Sequence, residues 1–367
     1  MAKRLDKLEQ NFLDTIKENN LINKGDVIVV GVSGGPDSIT LLTCLNKYKD
    51  YLGIEIISAH INHLIRKDST EDEQYVENMC KNMGIKCYVK RADVEKIAKE
   101  QKKGSEEVGR KIRYDFFDEV ARKENANKIA IAHNMKDNAE TMLLNIIRGS
   151  GLTGLEGIQA EEYGKYIRPL INCTREEIEE YCEKNNLQPR IDSTNKENIY
   201  RRNIIRNKLL PQLQELNPNI VESLSNLSKI VKVQNMHIKN EVENIYNRIA
   251  TETPNVNNSK EECNGAINKT NNSESSLQKT KSRVGNETLG KIELDLLEFQ
   301  KLGQSLKQNL IIYTINKVLG NARNIEKTNI DDIIKMCGRN IGNKYMYPNK
   351  NLKILIKNKK IIFMPLP

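Results

Sequence analysis

The feature that most constrains the fold is an apolar, β-branched run that ends directly in a glycine-rich loop. Residues 27–32 read VIVVGV, and residues 33–38 then read SGGPDS before a helical pattern begins. A continuous apolar run of this length is typical of a strand that is buried on both faces of a parallel sheet. The sequence therefore predicts a sheet built around this strand, with the loop at the strand's carboxyl end.

The first half of the chain alternates between strand and helix periods. Short apolar runs at residues 54–59, 85–89 and 128–132 predict three further strands. Helical patterns lie between them, at residues 69–83 and 108–121. This alternation predicts an α/β fold whose parallel sheet is covered by helices on both faces.

Changes in composition divide the second half of the chain. Helical patterns cover residues 203–213 and 220–249. From residue 251 to about 290 the chain is rich in Asn, Ser, Thr, Lys and Glu, which predicts a disordered linker or insertion. Helical patterning returns at residues 292–319, and residues 353–364 predict a β-hairpin.

These patterns predict four parts. They are an α/β domain at 1–212, a helical domain at 213–250, the linker or insertion at 251–290 and a small α+β C-terminal domain at 291–367.

Charge and composition restrict the partners and the cellular address. The formal net charge is +9, which favours a polyanionic partner because Lys and Arg neutralise phosphates. Compositional drift toward Lys, Asn and Ile is the alternative explanation. No apolar run is long enough to span a bilayer, and the charged start of the chain lacks the apolar core of a secretory signal. We therefore expect a cytoplasmic protein without membrane contact, whose oligomeric state stays open, a homodimer included.

The cysteines and histidines form no recognisable metal or disulfide pattern. The chain has seven cysteines, none in a CxxC pair, and four scattered histidines. A disulfide framework is not expected in a chain of this size and address, and a zinc site would need more closely spaced ligands. We interpret the cysteines as small core or surface residues.

The loop after the first strand has the chemistry of a phosphate-binding site. Its glycines let the backbone approach an anion, and backbone N–H groups at the start of the following helix then face the phosphates. The hydroxyls of Ser33 and Ser38 would add donors. The carboxylate of Asp37 would be repelled by phosphates unless a cation lay between them, which predicts Mg²⁺. A plain glycine-rich turn is the alternative. The predicted phosphate ligands are Ser33, Gly34, Gly35, Pro36, Asp37 and Ser38.

The same loop resembles the PP-loop signature of the N-type ATP pyrophosphatases, and neither GxxxxGK(S/T) nor GxGxxG follows the strand. The resemblance implies a Rossmann-like sheet of the adenine nucleotide alpha hydrolase-like type. It also implies ATP as co-substrate, Mg²⁺ as cofactor and cleavage between the α- and β-phosphates.

A second block, residues 132–155, carries two carboxylates at helical spacing. Asp137 and Glu140 are i, i+3 and share one face of the helix that begins here. The opposite face contains the apolar Ile146 and Ile147, which we expect in the core. Two carboxylates near a helix start could simply favour the helix dipole. At the carboxyl end of a strand beside the phosphate loop, they suit a cationic, amine-bearing substrate.

The second block resembles the HHxxDxAET…RGxGxxGL pattern of the tRNA(Ile)-lysidine synthetase family. Two departures stand out. Asn134 replaces a second His that is common in the family, and the chain ends at Pro367 whereas longer members continue, so we expect a reduced or differently built grip on tRNA. Further motifs of the family match over about residues 25–215, namely AHINHLIR at 59–66, EEVGRKIRY at 106–114, RPL at 168–170, DSTN at 192–195 and RNIIR at 202–206.

The resemblance implies a two-step reaction on an isoleucine tRNA with a CAU anticodon. The O2 atom of the wobble cytidine, position 34, attacks the α-phosphate of ATP, and pyrophosphate leaves. The ε-amine of free L-lysine then displaces AMP from C2 and forms lysidine.

The family pattern also implies residue roles. Asp137 and Glu140 would hold the lysine ammonium groups, and Arg113 the lysine carboxylate by bidentate pairing. His133 would contact ATP or relay a proton, with a satisfied core histidine as the alternative. The expected catalytic residues are Asp37, Arg113 and His133, and the expected ATP contacts outside the loop are Ala59, Arg148 and Gly149.

Four cations, Arg201, Arg202, Arg206 and Lys208, cluster within about two helical turns. A solvated helix face is the common explanation for such a cluster. The family match favours contact with the tRNA backbone instead.

Other classes compete with this reading. A tRNA thiolase is the nearest alternative, but such enzymes usually hold a cluster or carry sulfur on CxxC pairs, and none is present. A synthetase that makes GMP or NAD would need an ammonia source, and no glutaminase-like region is recognisable. A non-catalytic RNA-binding protein with a decayed loop is disfavoured by the intact Asp37.

Overall fold

The computed structural model describes residues 5–64, 69–190, 201–253, 290–320, 325–338 and 343–366. The chain divides into two compact units, Met1–Lys232 and Val233–Pro367. Most of the predicted linker at 251–290 and the DSTN motif at 192–195 lie outside the described residues. The domain boundaries given above stay predictions.

A six-stranded sheet forms the centre of the first unit, as far as its residues are described, in the order β3–β2–β1–β4–β6–β5. Neighbouring strands are parallel except β5 and β6, which pair antiparallel at one edge. The α/β prediction is thereby confirmed. The strands are β1 (Val27–Gly31), β2 (Glu55–Asn62), β3 (Lys86–Arg91), β4 (Lys128–Ala130), β5 (Glu161–Glu162) and β6 (Tyr166–Ile167).

Helices connect these strands and extend beyond the sheet. Those that precede β6 are α1 (Lys7–Glu18), α2 (Pro36–Leu52), α3 (Ser69–Asn82), α4 (Val94–Gln101), α5 (Ser105–Lys123), α6 (Met135–Ile147) and α7 (Leu152–Leu155). Those that follow are α8 (Arg175–Lys184), α9 (Arg201–Ile204), a π-helical turn (Ile205–Leu209), α10 (Leu210–Leu216) and α11 (Ile220–Ile249).

Helices cover both faces of the first sheet. On one face, Ile28 and Val30 of β1 belong to a core shared with α1, α2 and α8. On the other face, Val29 packs in a cluster with Phe117 of α5. A Cβ on Gly31 would lie 2.5 Å from the Phe117 ring, so glycine is what lets α5 approach the end of β1. The loop that follows β1 therefore starts from a tightly packed point.

An antiparallel sheet forms the core of the second unit, in the order β7–β8–β11–β10–β9. The predicted hairpin is present, since β10 and β11 pair from Leu352–Pro365 to Lys357–Lys360. The expectation of a helix from residue 292 is wrong at its start. Ile292 and Leu294 lie on a strand that pairs with β11, and both side chains are buried in the core. The elements are β7 (Ala250–Thr253), β8 (Lys291–Asp295), α12 (Leu296–Lys301), α13 (Gln304–Leu319), α14 (Lys327–Gly338), β9 (Lys344–Asn349), β10 (Leu352–Lys357) and β11 (Lys360–Pro365).

Within the described ranges, no helix combines the length and the apolar character that a bilayer span requires.

Candidate active site

A cavity of about 290 Å³ opens at the carboxyl ends of β1, β2 and β4. Strands are added on both sides of β1, and parallel sheets bind ligands at such a switch point. The lining includes Ser33, Asp37 and Ser38 from the loop after β1, His133 from the loop after β4, and Arg113 from α5. The three residues expected to be catalytic therefore line one cavity.

The phosphate loop, residues 33–38, is held in shape by its own serine hydroxyls. Ser38 Oγ donates to the Gly35 carbonyl over 2.9 Å and accepts from the Ser33 N–H over 3.1 Å. Ser33 Oγ lies 3.2 Å from Ser38 Oγ. Gly34 has a φ of +87°, which side-chain-bearing residues rarely adopt. The Ser38 hydroxyl hydrogen and the N–H groups of Ser33 and Gly35 are thus used within the loop. The N–H groups of the first turn of α2, which have no partner within the helix, are the donors for an anion.

Asp37 lies in the first turn of α2 with both carboxylate oxygens engaged. Its Oδ1 accepts from Asn134 Nδ2 over 2.7 Å, and its Oδ2 accepts from Arg175 Nη1 over 2.8 Å. Burial raises the pKa of Asp37, and the negative charge of Asp137 adds to the rise while Arg175 opposes it. The negative charges of Asp37 and Asp137 would therefore stabilise a further cation beside Asp37.

This environment fits a Mg²⁺ ion that arrives on a polyphosphate. Mg²⁺ is usually held by one or two carboxylates, by waters and by phosphate oxygens rather than by an all-protein cage. Over the described part of the chain, no group of three or more His, Cys, Asp or Glu side chains forms such a cage. Asp37 supplies a carboxylate within the loop for this mode of binding.

Asn134 connects the phosphate loop to α6. It is buried, donates to Asp37 and accepts the Asp137 N–H over 3.1 Å as the N-cap of α6. The Asp137 side chain accepts the Asn134 N–H in return, which completes a capping box. The residue that replaces the second His of the family pattern is thus a favoured N-cap that also orients Asp37.

The acidic pair Asp137 and Glu140 is occupied by two arginines. Glu140 is fully buried, and its carboxylate accepts from Arg206 Nε over 2.6 Å and from Arg206 Nη2 over 2.8 Å. Arg202 Nε lies 3.0 Å from Glu140 Oε2. Both arginines also reach Asp137 Oδ1, at 3.2 Å and 3.1 Å. Two carboxylates and two guanidinium groups thus form a charge-balanced cluster.

This cluster explains a correction to the expected core face of α6. Glu140 lies in the interior, because the arginines supply the charge that allows a carboxylate to be buried. Ile146 and Ile147, expected in the core, are 47% and 63% exposed. The buried apolar contacts of α6 come from Ala139 and Met142, which pack against α11.

The four cations expected on the tRNA backbone divide into two pairs. Arg201 and Lys208 are exposed. Arg202 and Arg206 turn toward α6 instead, and their guanidinium groups are engaged with the acidic pair. In this conformation, the expected tRNA surface therefore keeps Arg201 and Lys208 alone of the four.

His133 is a neutral histidine held by Arg168. Arg168 is buried, donates from Nε to His133 Nδ1 over 3.1 Å and is itself fixed by Glu162. Burial lowers the pKa of His133 well below its ordinary value, and the charges of Arg168 and Arg202 lower it further. Because Nδ1 accepts, we assign the proton to Nε2. His133 is therefore a neutral hydrogen-bond donor.

The remaining expected ligands lie at different places. Arg113 lines the cavity and stays exposed to solvent. Ala59 is buried, and its carbonyl accepts the Val32 N–H over 3.0 Å, so it supports the backbone just before the loop. Arg148 and Gly149 follow the last turn of α6, roughly 20 Å along the helix from its start. Neither is among the described residues that line the cavity.

The chain is similar in sequence to known proteins. A family model described as a PP-loop domain matches residues 4–213. The chain is 38% identical to a tRNA(Ile)-lysidine synthase from Clostridioides difficile over 352 residues, which cover 95% of this chain and 69% of that relative. The chain belongs to the tRNA(Ile)-lysidine synthase family.

Other members of the tRNA(Ile)-lysidine synthase family align over a shorter region. A member from Clostridium perfringens strain ATCC 13124 is 48% identical over 238 residues, which are 64% of this chain and 51% of that relative. The chain thus spans about half the length of such curated relatives. A solved U34-tRNA thiolase from Methanococcus maripaludis is 19% identical, with a TM-score of 0.51 over 62% of this chain and 79% of that chain. That likeness shows the fold alone and gives the thiolase alternative no support.

The family motifs did not single out every residue at the site. His60 is buried and lines the cavity, with Nδ1 donating to the Val32 carbonyl over 2.8 Å. Its Nε2 has no partner among the described residues. The AHINHLIR motif contains His60, so the sequence carried a signal for it. Arg175, the partner of Asp37, lies 138 positions later in the chain and has no local signal.

Proposed function

We propose that this chain ligates L-lysine to C2 of the wobble cytidine, position 34, of a CAU-anticodon tRNA(Ile), at the expense of ATP, which yields lysidine, AMP and pyrophosphate. One observation carries the proposal. Asn134 joins Asp37 of the phosphate loop directly to the helix that bears the acidic pair, so a polyphosphate site and an ammonium site adjoin in a member of this family.

The first step requires a triphosphate held for in-line attack. The loop offers backbone N–H groups at the start of α2, and Asp37 would hold Mg²⁺ on the phosphates. The bound ion supplies neutralisation of the phosphate charge. The cytidine O2 forms a bond to the α-phosphorus, and the bond to the bridging oxygen breaks, so pyrophosphate leaves with the electron pair.

His133 suits this step as a donor rather than as an acid. Its Nε2–H can hydrogen-bond a phosphate oxygen, and a preorganised donor stabilises charge that grows in the transition state. Burial keeps its pKa low, so it holds no additional proton near neutral pH. Arg168 fixes the ring through Nδ1.

The second step requires lysine to be oriented at C2. Asp137 and Glu140 would hold its ammonium groups, and Arg113 would bind its carboxylate by bidentate pairing. The ε-amine gives up a proton, forms the bond to C2 and displaces AMP. A carboxylate of the acidic pair would accept that proton.

Pyrophosphate release tests the proposal when each component is omitted in turn. We expect sustained turnover to need ATP, L-lysine and a CAU-anticodon tRNA(Ile) together. A transcript with uridine in place of the wobble cytidine is the matched control and should give no turnover. Turnover that needs a sulfur donor instead of lysine, or that continues without tRNA, would contradict the proposal.

A further inference from the structure

In the arginine cluster, the carboxylates proposed to bind lysine are paired with two arginines that were expected to bind tRNA. Asp137 and Glu140 are the proposed site of the lysine ammonium groups, while Arg202 and Arg206 belong to the RNIIR motif. In this structure the four side chains pair with each other, at distances from 2.6 to 3.2 Å. Because Glu140 is fully buried and both of its carboxylate oxygens accept from the arginines, a lysine ammonium group can reach Glu140 only after the guanidinium groups have moved.

Removal of the arginines without replacement would be strongly unfavourable. It would leave the fully buried Glu140 as an uncompensated charge. An exchange avoids this cost, because lysine ammonium groups take over the carboxylates. The displaced guanidinium groups then need anions, and RNA phosphates accept the same bidentate pairing as carboxylates do. Once the cluster has opened, all four charges are paired again only when lysine and RNA are both bound.

The segment that carries the arginines, residues 201–209, has few apolar anchors. Ile205 is buried, whereas Ile204 is 42% exposed. Its second half is a π-helical turn, a departure from α-helix geometry that is frequent at functional sites. The ion pairs to α6 therefore help to hold this segment in place.

We propose that Arg202 and Arg206 are positioning residues that close the acidic pair until RNA draws them away. Lysine and tRNA then bind with positive cooperativity, and each tightens the binding of the other by the same factor. The inference rests on the proposed function. A purely structural brace between the segment and α6 would give no such coupling.

Calorimetric titration of L-lysine, with and without an anticodon stem-loop RNA of CAU sequence, tests the coupling. If the closed state holds more than about nine tenths of the RNA-free protein, RNA tightens lysine binding at least tenfold. The double variant Arg202→Gln/Arg206→Gln should bind lysine at least tenfold more tightly than the wild type without RNA. Added RNA should then have no further effect on its lysine affinity.

The matched control removes the same charge from the same segment. Arg201→Gln/Lys208→Gln should weaken RNA binding but leave the RNA-free lysine affinity unchanged. Arg206→Lys replaces the double variant if the double variant does not fold. It keeps the positive charge, but a compact ammonium cannot form both of the hydrogen bonds that the Arg206 guanidinium makes to Glu140. We expect it to tighten RNA-free lysine binding severalfold.

Two results would overturn the inference while leaving the proposed function intact. One is that the wild-type protein binds lysine equally well with and without RNA. The other is that Arg202→Gln/Arg206→Gln and Arg206→Lys bind lysine without RNA no more tightly than the wild type does. Each result applies to a protein that forms lysidine. A wild-type protein that forms no lysidine would contradict the proposed function, and this inference with it.

Discussion

The phosphate loop and the arginine segment are built in opposite ways. In the loop, the hydroxyl contacts join residues at most five positions apart, such as Ser33 and Ser38. In the arginine segment, the contacts run back to α6 across 62 to 69 positions. The hydroxyl contacts of the loop form once the loop itself has folded, whereas its Asp37 carboxylate also depends on Asn134 and Arg175 from later in the chain. A site made of distant opposite charges can be opened by ligands that carry the same charges.

The largest effect is expected at Asp37, and it tests whether the loop binds a polyphosphate. Asp37→Ala should slow pyrophosphate release roughly 10³-fold, the upper range for removal of one electrostatic contact to the transition state. The melting temperature should change little, because the Asp37 side chain lines the cavity and is 27% exposed. Asp50→Ala on the same helix, an exposed position, is the control. Normal release by the Asp37 variant would remove Asp37 from the metal role.

Glu140 tests the other region, where charges are buried. Glu140→Gln leaves two guanidinium groups facing Asp137 alone, so the free energy of unfolding should fall by about 3 kcal/mol. Lysine binding should weaken far more than ATP binding. Urea denaturation and titration of each ligand measure the two effects, with Glu95→Gln on the surface of α4 as the control. Equal losses of lysine and ATP affinity would count against a lysine pocket here.

The same contrast explains what the sequence could predict. The strand β1, the loop after it and their place at the sheet's carboxyl edge follow from local periodicity and from backbone chemistry. The inward position of Glu140 does not, because it depends on Arg202 and Arg206, which no helical pattern within α6 can reveal. The exposure of Ile147 is likewise not evident from the helical pattern of α6.

The low pKa of His133 makes the stability of the protein depend on pH. Burial lowers the pKa of His133 and of His60 below the ordinary value of 6.5. The unfolded chain therefore takes up protons first, so this part of the stability is present above pH 6.5 and is lost as the pH falls below it. His133→Gln should flatten that decline by at most about 1.4 kcal/mol per pH unit. His237→Gln, at an exposed site on α11, is the control. A decline as steep in His133→Gln as in the wild type would show that His133 is not held neutral.

The smallest expected effect concerns the exposed half of the basic cluster. Arg201→Gln or Lys208→Gln should make the salt dependence of tRNA binding shallower, by about 0.9 or less in log–log slope for each lost phosphate contact. Lysine and ATP affinities without tRNA should stay near those of the wild type. Binding measured from low to moderate salt would show this, and an unchanged slope would remove these residues from the RNA surface.

Nucleoside analysis of the modified tRNA tests the central claim most directly. Wild-type protein is incubated with ATP, isotopically labelled L-lysine and a CAU-anticodon tRNA(Ile), and the digested nucleosides are separated by mass. We predict that the label appears on the cytidine of the wobble position, only when ATP is present, and that Asp37→Ala slows the labelling roughly 10³-fold. A cytidine that stays unlabelled while ATP is consumed would contradict the account.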